Sequence, residues 1–228
     1  MVGTLIMPVP TQATLQAAAR ARARMVERLR GEGIRDDKVL AAINEVPRHV
    51  FVEEALASRA YEDTALPLGF QQTISQPFVV ARMAELLVAG GRPMGKTLEV
   101  GAGCGYQAAV LSYMASDVYA IERIGKLLEK ARANLRPLRL PNVRLKHGDG
   151  SLGLPEVAPF DSIILAAASP NVPRLLIDQL APLGRLVMPQ VRQGGDQVVL
   201  LIERMASGTL KETRLDAVRF VPLLPGIE

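Results

Sequence analysis

The segment at residues 97–107 constrains the fold more than any other part of the chain. Its sequence is Thr-Leu-Glu-Val-Gly-Ala-Gly-Cys-Gly-Tyr-Gln, so a short apolar run ends in an acid and is followed by alternating glycines. An apolar-periodic stretch comes next, and this order predicts a strand, a tight turn and a helix. Alternating glycines allow positive φ and close approach to a ligand, and a helix start offers unpaired N–H groups. We therefore predict a ligand-binding loop at the carboxyl end of a strand in an open α/β sheet.

The spacing of the glycines narrows the choice of ligand class. A dinucleotide fingerprint requires G-x-G-x-x-G or a final Ala, whereas Gly101, Gly103 and Gly105 are followed by Tyr106. This spacing disfavours NAD and FAD. An acid before G-x-G-x-G is similar to motif I of the class I methyltransferases, which bind S-adenosylmethionine; a glycine-rich turn without a ligand is the alternative. Glu99 would accept from a backbone N–H or the methionine ammonium, or else be a buried structural acid.

Composition excludes several classes of protein. The chain has 228 residues, 49% of them hydrophobic, which suffices for one domain with a full core or one domain plus an appendage. A single cysteine, Cys104, excludes an internal disulfide framework and favours a reducing compartment. One cysteine and two histidines cannot form a classical zinc site. A net charge of +4 is too mild to indicate nucleic acid binding, and no apolar run approaches the length of a membrane span.

The order of periodic segments predicts the architecture. Helices are expected from Thr11 to Leu56 and again from Pro77 to about Leu87, while 61–76 is aperiodic. After Lys96 we expect alternating strands (97–100, 117–121, 143–147, 160–166) and helices (106–114, 124–136, 173–180). Such alternation predicts a doubly wound, mostly parallel α/β sheet. The β-rich segments 184–191, 197–205 and 210–221 predict a partly antiparallel C-terminal edge.

These patterns predict one compact domain in three stretches. Residues 1–10 are a disordered tip with Thr11 as a candidate helix cap, residues 11–95 are an N-terminal helical extension that carries the aperiodic loop, and residues 96–228 are the ligand-binding core. The first helix is rich in arginine, which we interpret as a solvated face, with a targeting segment as the alternative.

Two further acids are candidates for the ligand site. Glu122 ends the second strand about twenty residues after the first glycine, the distance at which an acid meets a ribose hydroxyl pair. The alternative is a surface Glu paired with Arg123 or Lys126. Asp149 follows the third strand between two glycines and could accept from an adenine amino group, with a plain tight turn as the alternative.

The chain resembles the protein-L-isoaspartate O-methyltransferase family from about Val46 to Leu223. The resemblance is carried, in order, by segments 46–52, 66–69, 72–77, 101–111, 118–123, 142–150, 158–161 and 218–223. The block Thr-Ile-Ser-Gln-Pro at 73–77 is the family-specific one. The chain departs from the family at four positions. Gln71 stands where the family usually has Gly, and Leu154 where a Trp is common. In the glycine loop, Ala102 and Cys104 stand where the family usually has Thr and Ser.

The resemblance implies a Rossmann-like methyltransferase fold and a repair reaction. The methyl group of S-adenosylmethionine would pass to the free α-carboxylate of L-isoaspartyl residues in damaged proteins, leaving S-adenosylhomocysteine. The ester would then close to a succinimide, whose hydrolysis returns part of the residue to normal aspartate. Residues 11–95 would thus carry the substrate loop, and residues 96–228 would form the cofactor-binding catalytic core.

The site residues follow from the resemblance together with the spacing. Ser75 is the expected active-site residue, because its hydroxyl can donate to the acceptor carboxylate; the alternative is a cap for the helix that Pro77 opens. Expected cofactor contacts are Glu99, Gly101, Gly103, Gly105, Gln107, Glu122, Asp149 and Gly150. Expected substrate contacts are Leu68, Thr73, Ile74 and Val221. Cys104 is expected to be a small filler beside the cofactor.

Two other functions remain open at this point. Another class I methyltransferase, acting on RNA or a small molecule, is disfavoured because residues 166–170 lack the Asn/Asp-Pro-Pro-aromatic motif of base amino-group methylation. A non-catalytic adaptor that binds the cofactor is disfavoured by the intact segment around Ser75. We expect a cytoplasmic monomer whose partners are damaged proteins, without nucleic acid, membrane or metal partners.

Overall fold

The structure is a computed structural model, and it describes residues 12–228. The tip predicted at 1–10 and the candidate cap Thr11 lie outside the described residues. No helix within 12–228 combines the length and the apolar character needed to cross a membrane.

A seven-stranded sheet forms the centre of the fold, with strand order β5-β4-β3-β6-β7-β8-β9. The strands are β3 Lys96–Val100, β4 Asp117–Glu122, β5 Val143–His147, β6 Phe160–Leu165, β7 Leu180–Val191, β8 Gln197–Arg204 and β9 Leu210–Val218. The pairs among β5, β4, β3, β6 and β7 are parallel, and β8 and β9 add antiparallel pairs. The predicted mostly parallel sheet with an antiparallel C-terminal edge is confirmed.

Helices cover both faces of the sheet, and the sheet separates two hydrophobic cores. The helices are α1 Gln12–Gly31, α2 Asp37–Glu45, α3 Pro77–Val88, α4 Tyr106–Ser112, α5 Gly125–Leu135 and α6 Arg174–Asp178. Alternate strand residues enter different cores: Ile164 packs with α3 and α4 residues, whereas Ile163 and Leu165 pack with Leu176 of α6. The central strands β3 and β6 are therefore buried on both faces, which explains their largely apolar sequences, whereas the edge strand β5 is mostly exposed.

The strand order reverses beside β3. The chain runs outward through β4 and β5, then returns to place β6 against the other side of β3. A crevice opens at such a switch point, at the carboxyl ends of the two central strands, and this is where open α/β sheets bind ligands. The glycine segment leaves β3 at this crevice, and Ala166 leaves β6 there.

The segment predicted as aperiodic, residues 61–76, contains a small hairpin. Strands β1 Leu66–Gly69 and β2 Gln72–Ile74 pair antiparallel, with Leu66 opposite Ile74. Strands this short show no visible alternation, which is why the sequence did not reveal them. The last part of the region predicted as helical up to Leu56 forms two 3₁₀ helices, Arg48–Phe51 and Glu54–Arg59.

The N-terminal helices are attached to α3 by a buried carboxylate. Oε1 of Glu85 accepts from the backbone N–H groups of Arg35 (2.6 Å) and Asp36 (2.9 Å), just before α2. Oε2 of Glu85 accepts from Arg82, which also donates to Asp216 at the end of β9. Residues 12–45 are thus tied to the helix that follows Ser75; the division at residue 95 stays a prediction.

Candidate active site

One cleft at the crevice collects most of the predicted site residues. It has an empty volume of about 840 Å³. The predicted residues on its wall are Leu68, Thr73, Ile74, Ser75, Glu99, Gly101, Gly103, Gln107, Glu122, Gly150 and Val221. Gly105 and Asp149 are the two predicted residues that do not line it.

The glycine loop, residues 101–105, wraps around the end of β4. The N–H groups of Gly101 and Ala102 both donate to the carbonyl of Ile121 at 2.9 Å. The three glycines have φ of +90°, +56° and +89°, a left-handed region that other residues adopt at a cost. The loop can therefore turn tightly while its inner face stays free of side chains.

Gly105 serves packing rather than the cleft wall. A Cβ added there would lie 2.9 Å from Cδ1 of Leu135 on α5, closer than real Cβ contacts. The glycine thus lets α4 begin directly against α5. Its expected cofactor contact stays a prediction.

Glu122 anchors the floor of the cleft. It is 5% exposed, and its two oxygens accept from the N–H groups of Gly103 (Oε2, 2.9 Å) and Ile124 (Oε1, 2.9 Å). A carboxylate has about four acceptor positions, so these two bonds leave lone pairs for a ligand. The alternative pairing with Arg123 or Lys126 is not seen, because Arg123 binds Glu228 instead.

Glu99 is a buried acid whose carboxylate meets no hydrogen-bond donor at bonding geometry in the described chain. It is fully buried, and within residues 12–228 neither carboxylate oxygen has a hydrogen-bond partner; the side-chain nitrogen of Gln107 also has none. Burial raises the pKa of Glu99 well above its usual value of 4.5; the neighbouring Gln107 amide opposes this shift, and the Glu122 carboxylate adds to it. An unpaired buried carboxylate is costly, and since Glu99 lines the cleft, a cation in the cleft would relieve that cost.

Replacing Glu99 by glutamine should therefore stabilise the ligand-free protein at alkaline pH. Because the folded-state pKa is raised, the stability linked to Glu99 is fully present below about pH 4.5 and is lost as the pH rises through the folded value. Glutamine is uncharged throughout. We expect the variant to be more stable than the parent at pH 8 and the difference to vanish toward pH 4, as measured by urea unfolding across that range.

Glu129→Gln is the matched control for this comparison, since Glu129 is exposed on α5. It should shift the unfolding free energy little at any pH. A Glu99→Gln protein that is less stable than the parent at pH 8 would contradict the assignment of Glu99 as an unpaired buried acid.

Asp149 is engaged by the protein itself. Its Oδ1 accepts from the N–H (2.9 Å) and hydroxyl (2.6 Å) of Ser151, and Oδ2 accepts from the N–H of Gly226 (2.6 Å). Partial burial would raise the pKa of Asp149, but these hydrogen bonds outweigh it and lower the pKa below the usual value. The carboxylate thus holds a turn and the C-terminal segment, and its expected contact with adenine stays a prediction.

The sequence did not identify the C-terminal segment as a wall of the cleft. Pro222, Leu223 and Leu224 line it. The segment is held in place where the N–H of Glu228 donates to the carbonyl of Arg123 (2.7 Å) and the N–H of Gly125 to the carbonyl of Glu228 (2.7 Å). Ala166 and Ala167, also missed, could have been found from their position directly after β6.

Ser75 lies between β2 and α3, and its hydroxyl is available for a hydrogen bond to a ligand. No hydrogen bond joins its hydroxyl to any residue of the described chain, and it lines the cleft. The helix start is capped instead by Asp63, which accepts from the N–H of Phe78 (2.9 Å) and from the amide of Gln76 (2.6 Å). The alternative role of Ser75 as a helix cap is therefore not supported.

The hairpin turn next to the cleft is strained. Phe70 and Gln71 have φ of +52° and +56°, a left-handed conformation that glycine adopts more easily. Gln71, where the family usually has glycine, thus makes this turn less favourable locally. The pairing of Leu66 with Ile74 maintains it, and Leu68 and Ile74 are buried.

A buried arginine connects the segment that precedes the hairpin with the residue that follows the glycine loop. Arg48 donates to the carbonyl of Ala60 (2.8 Å), and its guanidinium lies 4.8 Å from the ring centre of Tyr106. Burial raises the pKa of Tyr106 to about 12 and of Cys104 to about 11, so both stay protonated at neutral pH. Cys104 therefore packs as a small apolar group.

The cleft offers partners for an ammonium group and for a pair of hydroxyls. The unpaired Glu99 can receive the cation, Glu122 keeps acceptor positions for the hydroxyls, and the glycine loop leaves room between them. S-adenosylmethionine carries an ammonium group and a ribose diol, so its groups match these residues. Among residues 12–228, no cluster of three or more potential ligands could hold a metal ion.

Comparisons with known proteins agree with this geometry. The family model for protein-L-isoaspartate(D-aspartate) O-methyltransferase (PCMT) matches residues 18–227. The chain is 68% identical over 211 residues to a protein-L-isoaspartate O-methyltransferase of Azoarcus sp., a match that covers 92% of this chain and 96% of that protein.

Two solved structures share the fold. A protein-L-isoaspartate O-methyltransferase is 29% identical with a TM-score of 0.79, covering 88% of this chain and 65% of that longer chain. A putative protein-L-isoaspartate O-methyltransferase from Plasmodium falciparum, crystallised in complex with S-adenosyl-L-homocysteine, is 25% identical with a TM-score of 0.75, covering 89% of this chain and 98% of that chain. From its sequence, its sheet topology and its cleft, the chain belongs to the protein-L-isoaspartate(D-aspartate) O-methyltransferase family.

Proposed function

We propose that this protein is a repair methyltransferase. It transfers the methyl group of S-adenosylmethionine to the free α-carboxylate of L-isoaspartyl residues in damaged proteins. The observation that carries the proposal is that one cleft joins the carboxylate of Glu99, the glycine loop and Ser75 in a chain of this family.

The residues of the cleft have separable roles in this proposal. Glu99 pairs with the ammonium of the cofactor, and Glu122 accepts hydrogen bonds from its ribose hydroxyls. Gly101 and Gly103 leave room for the ligand. A Cβ at Gly150 would lie 2.4 Å from Cγ1 of Val100, so this glycine lets the turn after β5 pack against β3 beside the ligand. The Gln107 amide, which lacks a partner in the described chain, is available to the polar end of the ligand.

The substrate side is formed by the hairpin and the C-terminal segment. Leu68 and Ile74 provide an apolar surface, and Thr73 and Val221 border Ser75 along the same wall. A largely apolar groove of this kind binds the main chain of many sequences and leaves recognition to the isoaspartyl carboxylate.

The chemistry requires placement more than proton transfer. When bound, S-adenosylmethionine supplies an electrophilic methyl group on a sulfonium. An α-carboxylate, with a pKa of about 3.5, is already ionised and nucleophilic at neutral pH, so no general base is needed. Ser75 donates a hydrogen bond that orients the carboxylate, and the cleft excludes water from the reacting atoms.

The two histidines support a positioning role for Ser75 rather than a nucleophilic one. His49 contacts the Tyr61 hydroxyl (2.7 Å) and His147 the carbonyl of Arg123 (3.0 Å), and neither lines the cleft. A serine nucleophile needs an adjacent base, and no histidine is available to it.

A paired peptide assay tests the proposal. The protein is incubated with radiolabelled S-adenosylmethionine and either an isoaspartyl peptide or its normal aspartyl twin. We expect base-labile label, as a methyl ester releases methanol, on the isoaspartyl peptide alone. Transfer to RNA without transfer to the peptide would favour another class I methyltransferase, and cofactor binding without any transfer would favour an adaptor.

We also infer that the protein acts as a monomer in the cytoplasm, on damaged proteins rather than on nucleic acids or membranes. The free, buried Cys104 and the mild net charge of +4 support this setting. Light scattering coupled to gel filtration should give a mass near 24.6 kDa; a mass twice as large would contradict the monomer.

A further inference from the structure

A second cavity adjoins the cleft at Ser75. It has an empty volume of about 1550 Å³ and shares Thr73, Ser75, Ala166 and Val221 with the cofactor cleft. A peptide whose carboxylate reaches Ser75 from this side would place its neighbouring residues in the cavity. We call it the flanking-residue cavity.

The charged residues that line the flanking-residue cavity are not all paired with an opposite charge. Arg82 donates to Asp216 (2.9 Å), so these two lining residues neutralise one another, and Glu85 adds a second carboxylate to Arg82 at 3.0 Å. Arg219 also lines the cavity, and within residues 12–228 its guanidinium forms no ion pair or hydrogen bond. Arg219 is exposed and is thus the charged lining residue without an ionic partner in the described chain, beside the place where substrate enters.

The backbone around Arg219 is held firmly. The side-chain amide of Gln197 clamps Phe220 from both sides, accepting from its N–H (2.7 Å) and donating to its carbonyl (3.1 Å). One residue further on, the carbonyl of Val221 accepts from Ala168 (2.7 Å). The Cα of Arg219 is thus fixed at the cavity, while its side chain remains available to a ligand.

We propose, on the basis of the repair function above, that Arg219 is a specificity-determining residue that pairs with an acidic side chain next to the isoaspartyl residue. Its partner is not the acceptor carboxylate, because an ion pair would withdraw electron density from the nucleophile, whereas the neutral Ser75 hydroxyl orients it at less cost. A planar guanidinium suits a flanking Asp or Glu well.

The proposal predicts a charge preference that depends on Arg219. In isoaspartyl peptides that carry Glu, Ala or Lys beside the isoaspartyl residue, on either side in turn, kcat/KM should favour Glu over Ala by about five-fold at the responsive position, the size expected of a partly exposed ion pair. Lys should fall below Ala. The differences should lie in KM, leaving kcat nearly constant, and should shrink as salt is added.

Two variants of Arg219 and one matched control decide the question. Arg219→Ala should abolish the ranking and Arg219→Glu should reverse it, with turnover of the Ala-flanked peptide retained. Arg214→Ala removes the same charge from β9 at an exposed position outside the cavity and should keep the parent ranking. Equal affinities for S-adenosylhomocysteine across the variants would show that the fold and the cofactor cleft are intact.

The outcomes separate this proposal from the function on which it rests. If Arg219→Ala methylates the Ala-flanked peptide and still prefers Glu over Lys as the parent does, the assignment of Arg219 is overturned and the repair function stands. If the parent protein methylates none of the isoaspartyl peptides, the proposed function fails, and the role of Arg219 fails with it.

Discussion

Replacing Glu122 by alanine should weaken S-adenosylhomocysteine binding about 100-fold, equivalent to about 2.7 kcal/mol, as measured by calorimetry. The substitution removes the acceptor for the ribose hydroxyls. It also leaves the N–H groups of Gly103 and Ile124 without a partner, which loosens the glycine loop against β4. Since each of these two hydrogen bonds to a charged group contributes about 1.5–3 kcal/mol, the unfolding free energy should fall by roughly 3–6 kcal/mol.

Two further variants separate the ligand contact from the structural one. Glu129→Ala removes an exposed acid from α5 and should change neither quantity. Glu122→Gln keeps one acceptor oxygen but turns an amide NH₂ toward an N–H donor. Its S-adenosylhomocysteine affinity and its unfolding free energy should therefore lie between those of the parent and those of Glu122→Ala. A Glu122→Ala protein that folds and binds S-adenosylhomocysteine as tightly as the parent would exclude Glu122 from the cofactor site.

Replacing Ser75 by alanine should lower kcat/KM for an isoaspartyl peptide roughly 100-fold, because a misplaced nucleophile loses in-line geometry. Affinity for S-adenosylhomocysteine should stay within two-fold (about 0.4 kcal/mol) of the parent. The unfolding free energy should change by less than about 0.5 kcal/mol, since the Ser75 hydroxyl forms no hydrogen bond with the described residues. Ser75→Thr keeps a hydroxyl and should recover part of the activity.

Replacing Asp63, which caps α3, should have the opposite effect to replacing Ser75: it should lower stability. Asp63→Ala removes the acceptor of the Phe78 N–H and should cost about 1 kcal/mol of stability, as for other N-caps. If Ser75→Ala instead showed the stability loss and retained full turnover, Ser75 would be a structural residue and not a positioning one.

The fold was predictable where local patterns and tertiary structure agree. Strands β3 to β6 end within one residue of the predicted positions, and the glycine loop follows β3 because other residues adopt its positive φ only at a cost. Helix α6 is shorter than predicted and β7 begins at Leu180 rather than 184, since Leu180 pairs with Phe160 before an irregular register shift. Such long-range pairing leaves no local pattern.

The site was predictable where a residue's place follows from the sheet. Glu99 and Glu122 lie at the carboxyl ends of the neighbouring parallel strands β3 and β4, as the next-to-last and last residue respectively, so both had to reach the same edge of the sheet. Asp63 was not predictable as a cap, because it lies 15 residues before the N–H that it accepts from. The C-terminal wall at 222–224 has no periodic pattern, and its position depends on contacts with Asp149 and Arg123 far away in sequence.

The central claim, repair of isoaspartyl residues, is tested most directly by the fate of the substrate itself. An isoaspartyl peptide is incubated with the protein and replenished S-adenosylmethionine through many turnovers, and the isoaspartyl and aspartyl forms are separated by liquid chromatography with mass spectrometry. The account predicts that the isoaspartyl form disappears and the normal aspartyl peptide accumulates, dependent on the cofactor and slowed in Ser75→Ala. An isoaspartyl peptide that remains unchanged with active cofactor present would contradict it.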